Sequence, residues 1–278
     1  MNSGLDIVWP KQDCTRVPFE LFFDEELYQL ELERIFGGPH WQYLALEQEI
    51  PNPGDYVTTY LGERRVVVTR GPDAEIYAFE NRCAHRGAQV VNRLRGNAAR
   101  FNCPYHLWCY DHAGNLLAVS QEKGVKGKGG MPDDFDRTRH SLRKLNVARY
   151  KNLIFGTFAD EIMSLETYIG PTSLQQIDRI MSRPVGVLGY YRQVVEANWK
   201  LLANMIGPAG FISMEDGEAA RLVQQAARTQ RRQFAFVEMG GRGEVKDQDH
   251  LVQEVAIRGF WQYYRKVMQF RGDGADGR

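Results

Sequence analysis

The sequence has no excess of either charge, because 35 Lys and Arg residues balance 35 Asp and Glu residues in a chain of 278. A protein that binds nucleic acid or an anionic membrane through its bulk charge carries a positive surplus, so the balance argues against both kinds of partner. No run of 18 apolar residues is present, which argues against a spanning helix. The N-terminal residues also lack the basic and apolar regions of a secretory signal, and we expect a cytoplasmic protein.

Cysteine is scarce as well, with four residues in the whole chain. Small domains that depend on disulfides carry far more cysteine for their length, so a disulfide scaffold is excluded. The rest of the composition is that of an ordinary folded protein, with 43% hydrophobic and 25% charged residues, which argues against wholesale disorder. The cysteines are therefore either free thiols or ligands.

The hydrophobic pattern divides the chain into four parts. Apolar residues at helical spacing over 19–36 predict a helical N-terminal segment, residues 1–40. Short β-rich runs between turn residues predict an all-β domain over residues 41–158. Residues 159–270 mix the two patterns, and the glycine-rich tail 271–278 is predicted to be disordered.

The third part looks short of strands for a core of its own. Its pattern predicts helices over 174–181, 215–228 and 251–268, and extended runs over 185–195 and 234–239. A stable sheet normally needs three or more strands or a covering helix. We therefore expect the strands that would bury four apolar residues to be missing: Val187, Leu188, Phe260 and Trp261.

The strongest motif is Cys83-x-His85, followed after seventeen residues by Cys103-x-x-His106. Iron–sulfur clusters are usually held by four thiolates, but in Rieske [2Fe–2S] centres two histidines replace two cysteines on one iron. Two loops with one Cys and one His each can supply both pairs. A structural zinc site also uses Cys and His and is the alternative, although zinc sites usually pair like residues at wider spacing.

The sequence resembles the large (α) subunits of bacterial aromatic-ring-hydroxylating Rieske oxygenases, and most closely those of salicylate hydroxylases and anthranilate dioxygenases. The resemblance is carried first by the loops Cys83-Ala84-His85-Arg86-Gly87-Ala88 and Cys103-Pro104-Tyr105-His106-Leu107-Trp108. Further segments extend it over most of the chain: Pro51-Asn52-Pro53-Gly54-Asp55-Tyr56, Gly127-Lys128-Gly129-Gly130-Met131-Pro132, Asn198-Trp199-Lys200-Leu201, Gly207-Pro208-Ala209-Gly210-Phe211 and Arg258-Gly259-Phe260-Trp261.

The resemblance implies an α+β protein, with an all-β Rieske domain followed by a helix-grip catalytic domain of antiparallel sheet and helices. It implies that electrons from NADH arrive through a reductase, with or without a ferredoxin, and that a small β subunit can be present. In this family a mononuclear Fe(II), held by two histidines and a carboxylate, activates O₂ beside the aromatic substrate. An aromatic carboxylate is the implied substrate.

The chain departs from the family pattern at the mononuclear iron. The family motif N-x-x-D-x-x-H-x₄-H should follow Asn198-Trp199-Lys200, but only Met205 and Ile206 separate Asn204 from Gly207. We therefore expect an internal deletion near residues 204–207, a truncated catalytic domain, and no hydroxylation by the chain as written. Aligned from Gly207, the family's carboxylate ligand falls on Asp216.

Asp216 has an alternative role, because Ser213-x-x-Asp216 also resembles a capping box that opens a helix at Glu215. The other histidines lack ligand spacing, and Cys14 and Cys109 are expected to be unligated thiols. The function predicted by the resemblance is that of a dioxygenase-type α subunit. The alternatives are a Rieske-type electron carrier, and a non-catalytic partner or pseudo-enzyme left by the deletion.

Overall fold

The structure is a computed structural model, and it describes residues 7, 9, 16–126, 128–190, 194–203, 211–227, 234–236, 245 and 255–270. The strands are β1 (Arg16–Pro18), β2 (Gln42–Leu46), β3 (Asp55–Leu61), β4 (Arg64–Arg70), β5 (Ile76–Glu80), β6 (Arg95–Asn97), β7 (Phe101–Asn102), β8 (Cys109–Tyr110), β9 (Leu116–Ala118), β10 (Asn146–Tyr150), β11 (Leu153–Thr157) and β12 (Phe234–Phe236). The α-helices are α1 (Glu25–Arg34), α2 (Leu165–Ile169), α3 (Pro171–Ile180), α4 (Trp199–Ala203), α5 (Phe211–Ala227) and α6 (Val255–Met268).

By packing, the chain divides into two units, residues 35–190 and residues 1–34 with 191–278. The first unit holds three antiparallel sheets, of strand orders β5-β4-β3-β6, β10-β11-β2 and β7-β8-β9. The second unit pairs β1 with β12 and is otherwise helical in its described part. The sheets are antiparallel and the helices few, which confirms the predicted α+β class.

Strand β4 separates two hydrophobic cores in the unit of residues 35–190. Val66 and Val68 lie in one core with residues of β2, β3 and β11, whereas Val67 lies in the other core. Alternate residues of a strand face opposite sides, so the uninterrupted valine run fits a strand that is buried on both faces. The core on the Val67 side includes Cys83 and Cys103, so the predicted cluster loops pack against this face of the sheet.

The other unit is held by aromatic side chains that are distant in sequence. Trp261 of α6 is fully buried, with its ring 5.8 Å from both Trp9 and Phe22. The expectation that Trp261 would lack a cover is therefore wrong, because N-terminal aromatics supply one. Leu188, in contrast, is fully exposed, as expected.

Two local predictions also differ from the structure. The extended run over 185–195 forms no strand in its described residues, 185–190 and 194–195. The helix predicted from residue 215 begins four residues earlier, at Phe211. Among the described residues, no helix combines the length and the apolar character that crossing a membrane requires.

Candidate iron–sulfur site

The four predicted ligand residues lie in two loops that share one backbone pattern. The first loop follows β5 and the second joins β7 to β8. In the first, the Cys83 N–H donates to the Ala88 carbonyl at 2.8 Å, and the Gly87 N–H donates back to the Cys83 carbonyl at 2.9 Å. In the second, Cys103 bonds to Trp108 at 2.8 Å and Leu107 to Cys103 at 3.0 Å. Each cysteine therefore closes the base of a six-residue loop.

The equivalence of the loops extends to their backbone angles. The fifth loop residue has a positive φ in both, +74° at Gly87 and +57° at Leu107. Glycine adopts this conformation without steric cost, whereas leucine does not. On this shared scaffold His85 is the third residue of its loop and His106 the fourth. The unequal Cys–His spacings therefore place the two imidazoles at different positions in two loops of equivalent backbone conformation.

The offset brings the two imidazole rings together. The ring centroids of His85 and His106 are 4.6 Å apart, with 69° between their planes. The indole of Trp108 lies parallel to His85, with a centroid distance of 4.8 Å and an interplanar angle of 4°. The ring of Tyr105 lies 3.8 Å from that of His106. The histidines thus form one cluster of donors at the loop tips.

Both cysteines of the two loops are buried. The Tyr110 hydroxyl lies 3.2 Å from the Cys83 sulfur, and the Ala84 N–H donates to the same hydroxyl at 3.2 Å. Burial raises the pKa of the Cys83 thiol, with the Cys103 thiol adding to the rise, while the Tyr110 hydroxyl opposes it. A bound metal ion deprotonates a coordinating thiol outright. The two buried cysteines are therefore suited to bind a metal whose positive charge compensates their thiolates.

His85 is prepared to act as a neutral donor. Burial lowers the pKa of its imidazole, and the positive charges of His106 and Arg86 lower it further. Its Nδ1 atom is buried and has no hydrogen-bond partner among the described residues. An unsatisfied buried nitrogen costs free energy, so it indicates a missing partner. A metal ion bound by His85 would satisfy that need, and the donor set of two thiols and two imidazoles fits a Rieske cluster.

Asp216 is the carboxylate that the sequence predicts as a remaining ligand of the mononuclear iron. The residue lies in α5, but its side chain is outside the described part of the chain, as are the junction 204–207, His250 and Cys14. The capping alternative is wrong, because α5 begins at Phe211 and Ser213 is already its third residue. Among the side chains that the structure describes, no three His, Cys, Asp or Glu residues gather as the ligands of a single metal ion would.

The remaining described histidines have local partners. The Nε2 of His112 lies 2.8 Å from the Ala98 carbonyl, and the Nδ1 of His140 lies 2.9 Å from the Asp136 carbonyl. The Nδ1 of His40 lies 3.3 Å from the Tyr168 hydroxyl. Cys109 is a buried free thiol in β8.

Sequence reasoning missed Tyr110, which contacts the Cys83 sulfur. The only signal in the sequence is that Tyr110 lies two residues after Trp108, the last residue of the second loop, at the start of β8. The partner loop could not be read from that spacing, because Cys83 and Tyr110 are 27 residues apart in the chain.

Comparisons with known proteins agree with this geometry. A family model of the Rieske [2Fe-2S] domain matches residues 40–128. The anthranilate 1,2-dioxygenase large subunit of Burkholderia cepacia is 48% identical over 200 residues, which are 72% of this chain and 47% of that subunit. The large oxygenase component of salicylate 5-hydroxylase from a Ralstonia species is 45% identical over 206 residues, which are 72% of this chain and 49% of that component.

The solved structures extend the likeness to the fold. The crystal structure of naphthalene 1,2-dioxygenase from a Rhodococcus species matches with a TM-score of 0.61 and 38% identity, and the match covers 70% of this chain and 44% of that one. The chain thus spans about half the length of these three relatives. The resemblance in the sequence is confirmed: the chain contains a Rieske [2Fe-2S] domain and is homologous to the large (α) subunits of aromatic-ring-hydroxylating dioxygenases such as anthranilate 1,2-dioxygenase.

Proposed function

We propose that this chain accepts electrons on a Rieske [2Fe–2S] cluster, as the electron-receiving part of an aromatic-ring-hydroxylating oxygenase α subunit. Cys83 and Cys103 would hold one iron, and His85 and His106 the other. The observation that carries the proposal is the buried Nδ1 of His85, which has no hydrogen-bond partner in the part of the chain that the structure describes. Its loop has the same backbone hydrogen-bond pattern as the loop of the second Cys–His pair. When bound, a cluster with mixed Cys and His ligands supplies one-electron chemistry at about −150 to +300 mV.

The residues of the chain prepare the site for that chemistry. The lowered pKa of His85 keeps its imidazole neutral, which is the form that binds a metal. The Tyr110 hydroxyl, 3.2 Å from the Cys83 sulfur, can donate a hydrogen bond that stabilises negative charge on a thiolate. We propose that the electrons come from NADH through a reductase, with or without a ferredoxin, in the cytoplasm.

The proposal for the complete enzyme is hydroxylation of an aromatic acid, with a mononuclear Fe(II) and, in some assemblies, a small β subunit. It is supported by the relatives, whose names refer to anthranilate and salicylate. We propose that the chain as written does not catalyse this reaction, because it contains no D-x-x-H-x₄-H motif. Asp216 would be the remaining carboxylate ligand, and one carboxylate without nitrogen donors is a poor Fe(II) site.

The cluster can be tested in the isolated protein. We expect about two irons and two labile sulfides per chain, and the rhombic, low average-g EPR signal of mixed His and Cys ligation after reduction. His85→Ala and His106→Ala should each abolish that signal. His40→Ala is the matched control, because His40 lies in the same packing unit and contacts Tyr168. Bound zinc, or an unchanged signal in the double variant of His85 and His106, would overturn the proposal.

The absence of hydroxylation needs a separate assay. NADH and O₂ consumption is measured with a competent reductase, added Fe(II) and anthranilate, salicylate or benzoate, and products are separated by chromatography. We expect reduction of the cluster without hydroxylated product. Coupled product formation would show that other residues or a partner complete the iron site. In that event Asp216→Ala decides whether the carboxylate is one of the ligands.

A further inference from the structure

Trp108 of the second loop stacks face to face on the imidazole of His85 in the first loop. The two rings are parallel within 4°, with centroids 4.8 Å apart. Trp108 ends the second loop, whereas His85 lies in the first. The stack therefore joins the two loops through their side chains, at the level of the histidines.

The plane of the Trp108 indole is fixed by contacts that do not involve His85. Its carbonyl accepts the Cys103 N–H at 2.8 Å, and its side chain is 97% buried in the core beneath the loops. Phe135 packs edge-on against the indole at 6.0 Å and 74°, and His140 at 5.8 Å and 64°. The indole is therefore held in place by its own packing, and the imidazole of His85 stacks on its face.

Among the described residues, His106 stacks on no buried indole of the kind that contacts His85. Tyr105, whose ring lies 3.8 Å from His106, is its neighbour in the same loop and is 57% exposed. A side chain that is more than half solvated has more rotamer freedom than one packed on all sides. The two imidazoles are thus held differently, one by a buried ring of the other loop and one by an exposed ring of its own loop.

We propose that Trp108 is a positioning residue that sets the ring orientation of His85, and thereby directs its buried Nδ1 toward the metal. The inference rests on the proposed function, in which His85 is a ligand. Contacts outside the ligand set orient ligating histidines, and their loss typically weakens metal binding by about 10- to 100-fold. Removal of the indole should therefore disturb one histidine ligand and leave the other unchanged.

The experiment compares Trp108→Leu, Trp108→Phe and the control Tyr105→Leu in the cluster-containing protein. Pulsed EPR on the reduced protein resolves the nitrogen couplings of the two histidine ligands, and a chelator measures the rate of cluster loss. In Trp108→Leu we expect one nitrogen coupling to shift or broaden while the other stays, with cluster loss faster by roughly 10-fold. Trp108→Phe, which keeps a flat ring of smaller area, should shift the same coupling by less.

The control and the ligand variants make the outcome decisive. Tyr105→Leu should leave the coupling that Trp108 affects unchanged. Two unchanged nitrogen couplings in a folded Trp108→Leu protein would overturn the inference, and if that variant does not fold, unchanged couplings in Trp108→Phe would do so. A wild-type protein without the mixed-ligand signal, or a His85→Ala protein that keeps both couplings, would instead refute the proposed function itself.

Discussion

Replacement of Lys200 by methionine tests how the α-helices of the second packing unit are joined. The Lys200 ammonium and the Glu31 carboxylate are both fully buried, with 2.7 Å between Nζ and Oε1. The same carboxylate accepts a hydrogen bond from Trp199 at 2.8 Å and one from the Tyr264 hydroxyl. One carboxylate of α1 thus receives donors from α4 and α6.

The expected loss of stability follows from the burial of this pair. Removing one member of a buried ion pair typically costs about 3–5 kcal/mol, because the other charge stays buried without its counterpart. Trp199 and Tyr264 still donate to Glu31 in Lys200→Met, so we expect the lower end, about 3 kcal/mol. Adding Glu31→Gln removes the uncompensated charge. Its amide oxygen can accept from Trp199, and the Tyr264 hydroxyl can rotate to accept from the amide nitrogen. The double variant should therefore recover much of the loss.

The free energy of unfolding is measured by urea titration, with hydrogen exchange and mass spectrometry following peptides of α1, α4 and α6. Peptides from residues 35–190 serve as the internal control, because they belong to the other packing unit. A change below about 1 kcal/mol in Lys200→Met, or a double variant less stable than Lys200→Met, would refute the reasoning. Either result would mean that solvent or another group compensates the carboxylate.

The pH dependence of the same measurement gives a second test. Burial lowers the pKa of Lys200 from 10.5 to about 8, although Glu31 opposes the change. Above about pH 8 the unfolded chain holds a proton that the folded chain has lost, so this group makes stability rise with pH. Burial raises the pKa of Tyr264 above its usual 10.0, so its contribution falls above pH 10. Wild type should gain stability between pH 8 and 10 relative to Lys200→Met, and a flat difference would contradict the assignment.

Four further variants test the cluster loops and the aromatic core. Leu107→Gly should raise the free energy of unfolding by up to about 1 kcal/mol, because it relieves a positive φ and the leucine is already 61% exposed. Gly87→Ala should lower it by about 1 kcal/mol, because it places a side chain at a positive φ. Both are measured by urea titration of the cluster-containing protein, and changes in the same direction would contradict the equivalence of the loops. Trp261→Ala should cost about 3–5 kcal/mol in its packing unit, measured by hydrogen exchange of α6, and a loss below 1 kcal/mol would mean that its burial contributes little. Tyr110→Phe should lower the cluster potential in an EPR-monitored redox titration, since a hydrogen bond to the Cys83 sulfur favours the reduced state; an unchanged potential would mean that the hydroxyl makes no such bond.

Local patterns in the sequence were sufficient to predict much of the β unit and its donor set. The spacing of Cys83, His85, Cys103 and His106 identifies the cluster chemistry, because few sites require one Cys and one His in each of two short loops. The β-branched run of β4 indicates a strand, because such residues are enriched in strands, whereas the burial of both its faces was decided by packing. Both signals arise within a few residues of the chain, where the backbone geometry fixes the side-chain directions.

The partners of these residues were decided only by the tertiary structure. Periodicity shows which face of α6 is apolar, but not that Trp9 and Phe22 cover Trp261, and the shortage of strands led to the wrong expectation. The Glu31–Lys200 pair joins residues 169 positions apart, and the Trp108–His85 stack joins two separate loops. Such contacts depend on the tertiary fold, which brings distant segments of the chain together. Residue type and spacing restrict what a side chain can bind, and packing alone selects which distant group it meets.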